Sequence, residues 1–264
     1  MITSNAIAQS LILSAEQVGA YVHEGYLILR NVFTSDEIAT LSTDVDRVCR
    51  EHAHLMDPRN MRVRFQTPHE TGQPIFEKFD PVADLSPVAR RVTADPRILR
   101  PLASLYGEPA ELFKDKLIYK PPGANGATLH QDWISWPGFP ETFLTVLLAI
   151  DPFTEDNGTT EIYPGIHRQG YLSPRDRQHH ILDHDALGMT PVPLLLEPGD
   201  LAIFSCFAPH RSGPNLSNHT RRGYFISYNA QSDGGQQYLC HYREYHEWIR
   251  EKVPVASRDS LYFR

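Results

Sequence analysis

The sequence predicts a mainly β protein with flanking helices, a barrel or jelly roll rather than a helical bundle. Three observations lead there. Helix signals cluster ahead of residue 108. Several short apolar segments follow, and Pro-Gly and Asn-Gly turns separate them. No repeat, low-complexity tract or linker interrupts the 264 residues, so one domain is expected. Its expected parts are a helical support with the first strands over 1–108, a barrel core over 109–235 and a C-terminal extension over 236–264.

Each element has a local cause. Ser14 caps a helix running to Glu24, Gln17 completes a capping box, and Gly25 stops it. Tyr26 to Leu29 is an apolar run that suits a buried strand. Thr34 or Ser35 caps a second helix, Asp36 to about His52, with acidic residues early and Arg47 and Arg50 late. Further helices are expected over Pro87–Arg91 and Pro96–Tyr106, the latter stopped by Gly107. Glu111 to Lys120 alternates apolar and polar residues, as a strand does, and Pro121-Pro122-Gly123 ends it. Phe143 to Ile150 is nearly all apolar, which fits a strand buried on both faces. Asp156-Asn157-Gly158 reads as a tight turn between strands. Leu194–Glu197, Leu201–Phe204 and Tyr224–Tyr228 read as further strands, with a turn at Pro198-Gly199-Asp200.

Composition narrows the function. Hydrophobic residues make up 41% and charged residues 22%, as in ordinary globular proteins. A net charge of −7 argues against nucleic acid as a partner, because phosphate binding needs a basic surface, although it leaves room for a local basic pocket. Cys49, Cys206 and Cys240 share no metal-type spacing and make no disulfide framework, which points to a reducing compartment. No signal-peptide pattern opens the chain, and no apolar stretch approaches the roughly 20 residues that span a bilayer. A cytoplasmic location without a membrane partner is expected.

The chemistry concentrates at His130-Gln131-Asp132. In a strand, residues two apart project from one face, so this imidazole and this carboxylate can reach one ion. One further histidine would complete a 2-His-1-carboxylate face, which leaves coordination positions open for substrate and oxygen. His210 is the candidate, at the end of the segment that follows the Leu201–Phe204 strand. His167, in Tyr163-Pro164-Gly165-Ile166-His167, is its rival and is read as a loop residue that fixes the turn.

Taken together, these segments resemble the phytanoyl-CoA dioxygenase family from about Gly25 to Asn229. The resemblance is carried by Glu24 to Arg30, Lys120-Pro121-Pro122-Gly123 with His130-Gln131-Asp132, and Asp156-Asn157-Gly158 with Tyr163 to His167. It is completed by Glu197-Pro198-Gly199-Asp200 with His210 to Asn215. No one block is decisive, but their order and spacing are specific. The resemblance implies a double-stranded β-helix, a cupin-like jelly-roll barrel, with Fe(II) held by His130, Asp132 and His210. It implies 2-oxoglutarate as cosubstrate, O2 as oxidant, and succinate and CO2 as products. It also implies that Arg221 pairs with the far carboxylate of 2-oxoglutarate, which a planar guanidinium can grip through two hydrogen bonds. Arg222 is its reserve, pointing the other way. Lys78, Tyr119 and Leu147 fall where the family often lines the cosubstrate pocket.

Related halogenases lack the carboxylate ligand, so the presence of Asp132 favours hydroxylation or a related oxidation. Trp133 and Trp136 follow the metal motif and, with Arg222, are candidates to meet the substrate, which is expected to be a small metabolite or natural-product intermediate. The segment Arg168–Asp185 is a candidate lid. Two other readings use the same residues: a zinc-type metallohydrolase with an activated water, or a non-catalytic 2-oxoglutarate sensor. Desaturation, cyclisation and epimerisation remain open beside hydroxylation.

Overall fold

The structure is a computed structural model and describes residues 12–68, 72–134, 139–173, 180, 181, 186 and 188–264. Helix α1 (Ala15–Glu24) starts at Ser14 with the expected capping box and ends at Gly25, whose φ of 82° needs a residue without a Cβ. Strand β1 (Tyr26–Leu29) follows, then α2 (Ser35–Glu51), capped by Thr34 with Glu37 reaching back. Strands β2 (Val63–Gln66) and β3 (Ile75–Phe79) precede α3 (Pro87–Thr93) and α4 (Pro96–Tyr106). Ser86 and Asp95 cap these two helices, and each helix opens on a proline whose fixed φ suits the first turn. Next come β4 (Ala110–Lys120), β5 (Leu144–Ala149) and β6 (Thr160–Ile162), then β7 (Val192–Pro193), β8 (Leu201–Ser205), β9 (His210–Ser212) and β10 (Arg221–Ala230). Helices α5 (Tyr238–Lys252) and α6 (Val255–Arg258) end the chain.

The strands form two antiparallel sheets. The larger has the order β1-β8-β5-β10-β4-β3-β2 and the smaller β7-β6-β9. Because side chains alternate along a strand, the large sheet has two distinct faces. One face, with Leu117, Tyr119, Val146, Leu148, Ile203, Tyr224 and Ile226, packs on Leu41, Val45 and Val48 of α2 and Ile98 and Leu102 of α4. The other, with Leu147, Ala149, Ala202, Phe204 and Phe225, packs on Phe153, Ile162 and Leu194. Six consecutive buried residues in β5 show why its sequence is apolar throughout: it lies between these two cores. This is the expected jelly-roll class, with two sheets that are not closed into a full barrel.

The expected strand at Leu194–Glu197 is not a continuous ladder. Pairing with β6 is at Val192–Pro193, and Leu196 then bridges Phe153, so the segment leaves one partner for another within a few residues. β10 runs three residues earlier and two later than its apolar run, because its ends still pair with β4. Strands β2 and β3 and helix α5 carried no strong sequence signal.

Helix α5 is fixed by a buried carboxylate. Asp115 accepts hydrogen bonds from the Val82 and Ala83 amides (2.9 Å each) and from the hydroxyls of Tyr224 (3.2 Å) and Tyr238 (2.6 Å). Burial pushes its pKa up to about 6 despite these donors. Tyr242 adds a bond to the Asp115 carbonyl and another to Asp80. Replacing Asp115 with alanine strands buried donors on three elements, so Asp115→Ala should cost about 3 kcal/mol in urea denaturation. A loss under about 1 kcal/mol would show that this carboxylate is not the anchor of α5.

Candidate metal centre

His130 and His210 meet through their backbones. The His130 amide donates to the His210 carbonyl at 3.0 Å, and the His210 amide donates back at 2.9 Å. This reciprocal pair is an antiparallel bridge, which places opposite side chains on one face. The imidazole centroids are 4.2 Å apart as a result. His130 lies in an extended segment held by such bridges rather than in the strand expected from sequence, while His210 opens β9.

Asp132 is two residues on and turns to the same side. Its Oδ1 lies 4.0 Å from His130 Nε2 and 3.9 Å from His210 Nε2. One ligand atom from each of the three residues falls within 4.8 Å of the others. Each imidazole has its Nδ1 against a backbone carbonyl, Thr128 for His130 (2.7 Å) and Ala208 for His210 (3.0 Å). Nδ1 is then the protonated nitrogen, and Nε2 presents its lone pair towards the carboxylate. Burial alone would raise the Asp132 pKa, but Lys116, His210 and His130 outweigh it and hold the group well below the usual carboxylate range. Two neutral imidazoles and one carboxylate in this arrangement fit a divalent metal with open coordination positions.

Polar neighbours fix the triad. Thr145 on β5 donates from Oγ1 to Asp132 Oδ2 at 2.8 Å and touches Ser227 Oγ at 3.3 Å. Gln131, between the two ligands, is fully buried. Its amide donates to the carbonyls of Gly170 (2.8 Å) and Phe207 (2.7 Å) and accepts from the Leu172 amide (2.7 Å). It therefore fastens the metal segment to the chain on either side.

A cavity of about 310 Å³ opens beside the two histidines. Arg221 enters it from β10 and is only 4% exposed. Its guanidinium stacks 4.1 Å over the Phe153 ring, and its Nε and Nη1 have no hydrogen-bond partner among the described residues. Burial lowers its pKa to about 10. A buried cation with two unused donors fits a carboxylate ligand, since either group alone is costly to bury. Lys120, opposite Arg221 in the β4–β10 ladder, donates to the carbonyls of Gly158 and Gly213 and to Ser212 Oγ. Gly158, the last residue of the Asp-Asn-Gly turn, must be glycine: its φ is 68°, and a Cβ there would lie 2.3 Å from the Gly213 oxygen.

The sequence profile of the phytanoyl-CoA dioxygenase family matches residues 21–223. The chain belongs to that family. A methylphosphonate hydroxylase of Gimesia maris is 38% identical over 136 residues, a match spanning half of each chain. A 2-aminoethylphosphonate dioxygenase of an uncultured bacterium is 29% identical, covering 75% of this chain and 78% of its own. The crystal structure of EctD from S. alaskensis with 2-oxoglutarate and 5-hydroxyectoine superposes with a TM-score of 0.69 at 23% identity, covering 85% of this chain and 80% of that one. As a phytanoyl-CoA dioxygenase family member, the protein is an iron- and 2-oxoglutarate-dependent dioxygenase.

The other expected site residues of this family member separate by face. Lys78 on β3 lines the metal cavity. Leu147 lies on the same side of the sheet but deeper, in the apolar floor near Phe153 and Phe225. Tyr119 borders the same cavity, but its hydroxyl is turned the other way, against Cys49 Sγ (2.9 Å) and the Val45 carbonyl (3.3 Å) of α2, and its ring packs in the helical core. Arg222 also points to that side, where it pairs with Asp151 (2.7 Å) and Asp46 (2.8 Å). This opposition of Arg221 and Arg222 is the alternation expected of neighbours on a strand. Trp133 packs in an aromatic cluster with Tyr171, Phe207 and Phe139 rather than on the cavity wall. His167 is not one of the three converging residues and rests against Gly25, where a Cβ would meet its ring at 2.4 Å. Trp136 and most of the candidate lid lie outside the described residues.

Sequence reasoning missed Lys116, Lys120, Gln131, Ser212 and Thr145. The alternation of β4 held the signal, since Lys114, Lys116, Ile118 and Lys120 share one face. Alternation alone did not say what that polar face meets. Thr145 is a single hydroxyl in an apolar strand, and only the fold shows what it meets. Removing that hydroxyl should loosen the carboxylate: Thr145→Val is expected to weaken Fe(II) or Mn(II) binding about ten- to a hundredfold with little change in melting temperature. Metal titration of the variant at wild-type affinity would rule out this role.

Proposed function

We propose that His130, Asp132 and His210 hold iron(II), that Arg221 holds the far carboxylate of 2-oxoglutarate, and that the protein hydroxylates a C–H bond of a small metabolite. The observation that carries this reading is the pairing of a three-ligand face with a buried guanidinium whose Nε and Nη1 are unpartnered among the described residues, in one cavity. Bound iron(II), 2-oxoglutarate and O2 together supply the oxidising power for hydroxylation, with succinate and CO2 released.

The chain's own residues supply geometry and exclusion of water. The Thr128 and Ala208 carbonyls hold the imidazole tautomers, and Thr145 holds the Asp132 carboxylate. Arg221 and Phe153 form a slot in which a carboxylate replaces the water the guanidinium would otherwise require. Phe225 and Ile118 supply apolar surface to a cavity otherwise lined mostly by polar and charged groups, which lowers the local dielectric around them.

A zinc-type hydrolase would use the same three ligands, but it has no use for a buried unpaired arginine in the same cavity. A non-catalytic sensor would keep Arg221 without needing the metal face. The names of the methylphosphonate hydroxylase and the 2-aminoethylphosphonate dioxygenase favour a small phosphonate as substrate.

Two variants test the assignment. Asp132→Ala and His210→Ala should each abolish succinate release, with retained circular dichroism showing that the fold survives. Near wild-type turnover in either would sink the ligand assignment. Arg221→Met should raise the 2-oxoglutarate concentration needed for half-maximal rate by about a hundredfold, the loss of a charge-assisted pair. An unchanged requirement would move the carboxylate elsewhere.

A further inference from the structure

The metal cavity has a second basic pole that the cosubstrate does not use. Lys116 and Lys78 line the same cavity as His130 and His210. They sit on adjacent antiparallel strands, with Lys78 opposite Ile118, the inward neighbour of Lys116. Among the described residues neither ammonium forms a hydrogen bond or an ion pair; that of Lys116 sits over the Phe225 ring, 5.5 Å away. Lys114, two residues before Lys116 on the same face, rests over Phe143 at 5.8 Å and is unpaired in the same way.

This group differs from the Arg221 end. Lys120 there has three acceptors and braces β4 to β9. Arg211, also on the cavity wall, is paired with Glu161 at 2.7 Å. The charges of the bound state show what is left over. The 2-oxoglutarate dianion offsets the metal dication, while Asp132 acts on Lys116 and Asp151 on Arg221. Against the effect of burial, Glu77 on the cavity wall and the buried Asp80 also attract Lys78 and raise its pKa, and Asp80 attracts Lys116, but among the described residues neither carboxylate is within ion-pair distance of either ammonium. Unpaired cations in a partly buried wall are unfavourable unless a ligand completes them. Burial and the neighbouring Lys114 and Lys78 already depress the Lys116 pKa to about 8, against the attraction of Asp132. In a protein of net charge −7, a concentrated positive wall inside a cavity also serves to draw an anion in.

We propose that Lys116 and Lys78 form the substrate-recognition site, binding an anionic head group of the phosphonate type and so placing the adjoining carbon beside the metal. This rests on the oxygenase reading above, and it assigns Lys78 to the substrate rather than to 2-oxoglutarate. The two halves of the cavity then have separate tasks: Arg221 selects the cosubstrate and Lys116 with Lys78 selects the substrate.

The test is anaerobic titration calorimetry on the protein loaded with Fe(II) and 2-oxoglutarate. The probes are methylphosphonate, 2-aminoethylphosphonate, propionate and the uncharged dimethyl methylphosphonate. Wild type should bind an anionic probe and ignore the uncharged ester. Lys116→Met and Lys78→Met should each weaken that binding about tenfold or more, equal to ~1.4 kcal/mol or more. Lys116→Arg should restore most of it, while the 2-oxoglutarate isotherm moves less than about threefold. Lys116→Met should also melt at or above the wild-type temperature, since it removes an unpaired buried cation, so a loss of binding is not a loss of fold. A preference for propionate over the phosphonates would keep the anion site and change its head group to a carboxylate. The inference is overturned if wild type binds 2-oxoglutarate but none of the anions. It is equally overturned if Lys116→Met and Lys78→Met bind methylphosphonate as wild type does, or lose 2-oxoglutarate to the same degree. Failure of wild type to bind 2-oxoglutarate at all would instead sink the oxygenase reading.

Discussion

The pair of hydrogen bonds between the His130 and His210 backbones is what the site depends on. It joins segments 80 residues apart in sequence and sets both imidazoles on one side at a 4.2 Å centroid separation. Antiparallel bridge geometry does this without any side-chain contribution. Asp132 then needs only to be two residues away in extended backbone. Gln131, buried between the ligands, ties this bridge to Gly170, Leu172 and Phe207. The triad is thus held by main chain, the buried Gln131 amide and the Thr145 hydroxyl on Asp132.

Face alternation in the large sheet organises everything else. Side chains of β4 and β10 go alternately to the helical core and to the cavity. Tyr119 and Arg222 go to the first, Lys116, Lys120 and Arg221 to the second. A shift of one residue in either strand would exchange the two sets, putting lysines against α2 and tyrosines against the metal. The long β4–β10 ladder, the apolar α2 face and the buried Asp115 at the α5 contact all oppose such a shift. Stability and function therefore rest on the same register.

The protein is acidic overall and basic at its centre. Net charge reports the solvated surface, where Asp and Glu are inexpensive. The cavity wall is partly desolvated, so each unpaired lysine there carries a cost that a bound anion relieves. Arg221 shows the same logic in its most buried form, with aromatic stacking as its chief company. Two basic poles, Arg221 and Lys116 with Lys78, thus share one cavity with the His130 and His210 imidazoles.

By itself, the sequence determined the helices with their caps at Ser14 and Thr34, the strand at Leu144–Ala149, the shared side of His130 and Asp132, and the opposition of Arg221 and Arg222. Each of these is local: a capping box, a run of apolar residues, a spacing of two, a neighbour on a strand. Only the tertiary structure decided which face of β4 was solvent and which was cavity, because alternation names two faces without saying what covers them. That is why Tyr119 belongs with α2, why Lys116 belongs with the metal, and why Trp133 sits in an aromatic cluster beside a motif it seemed to serve. Thr145 and Asp115 were illegible for the same reason: a single polar side chain takes its meaning from a partner that the fold brings in from far along the chain.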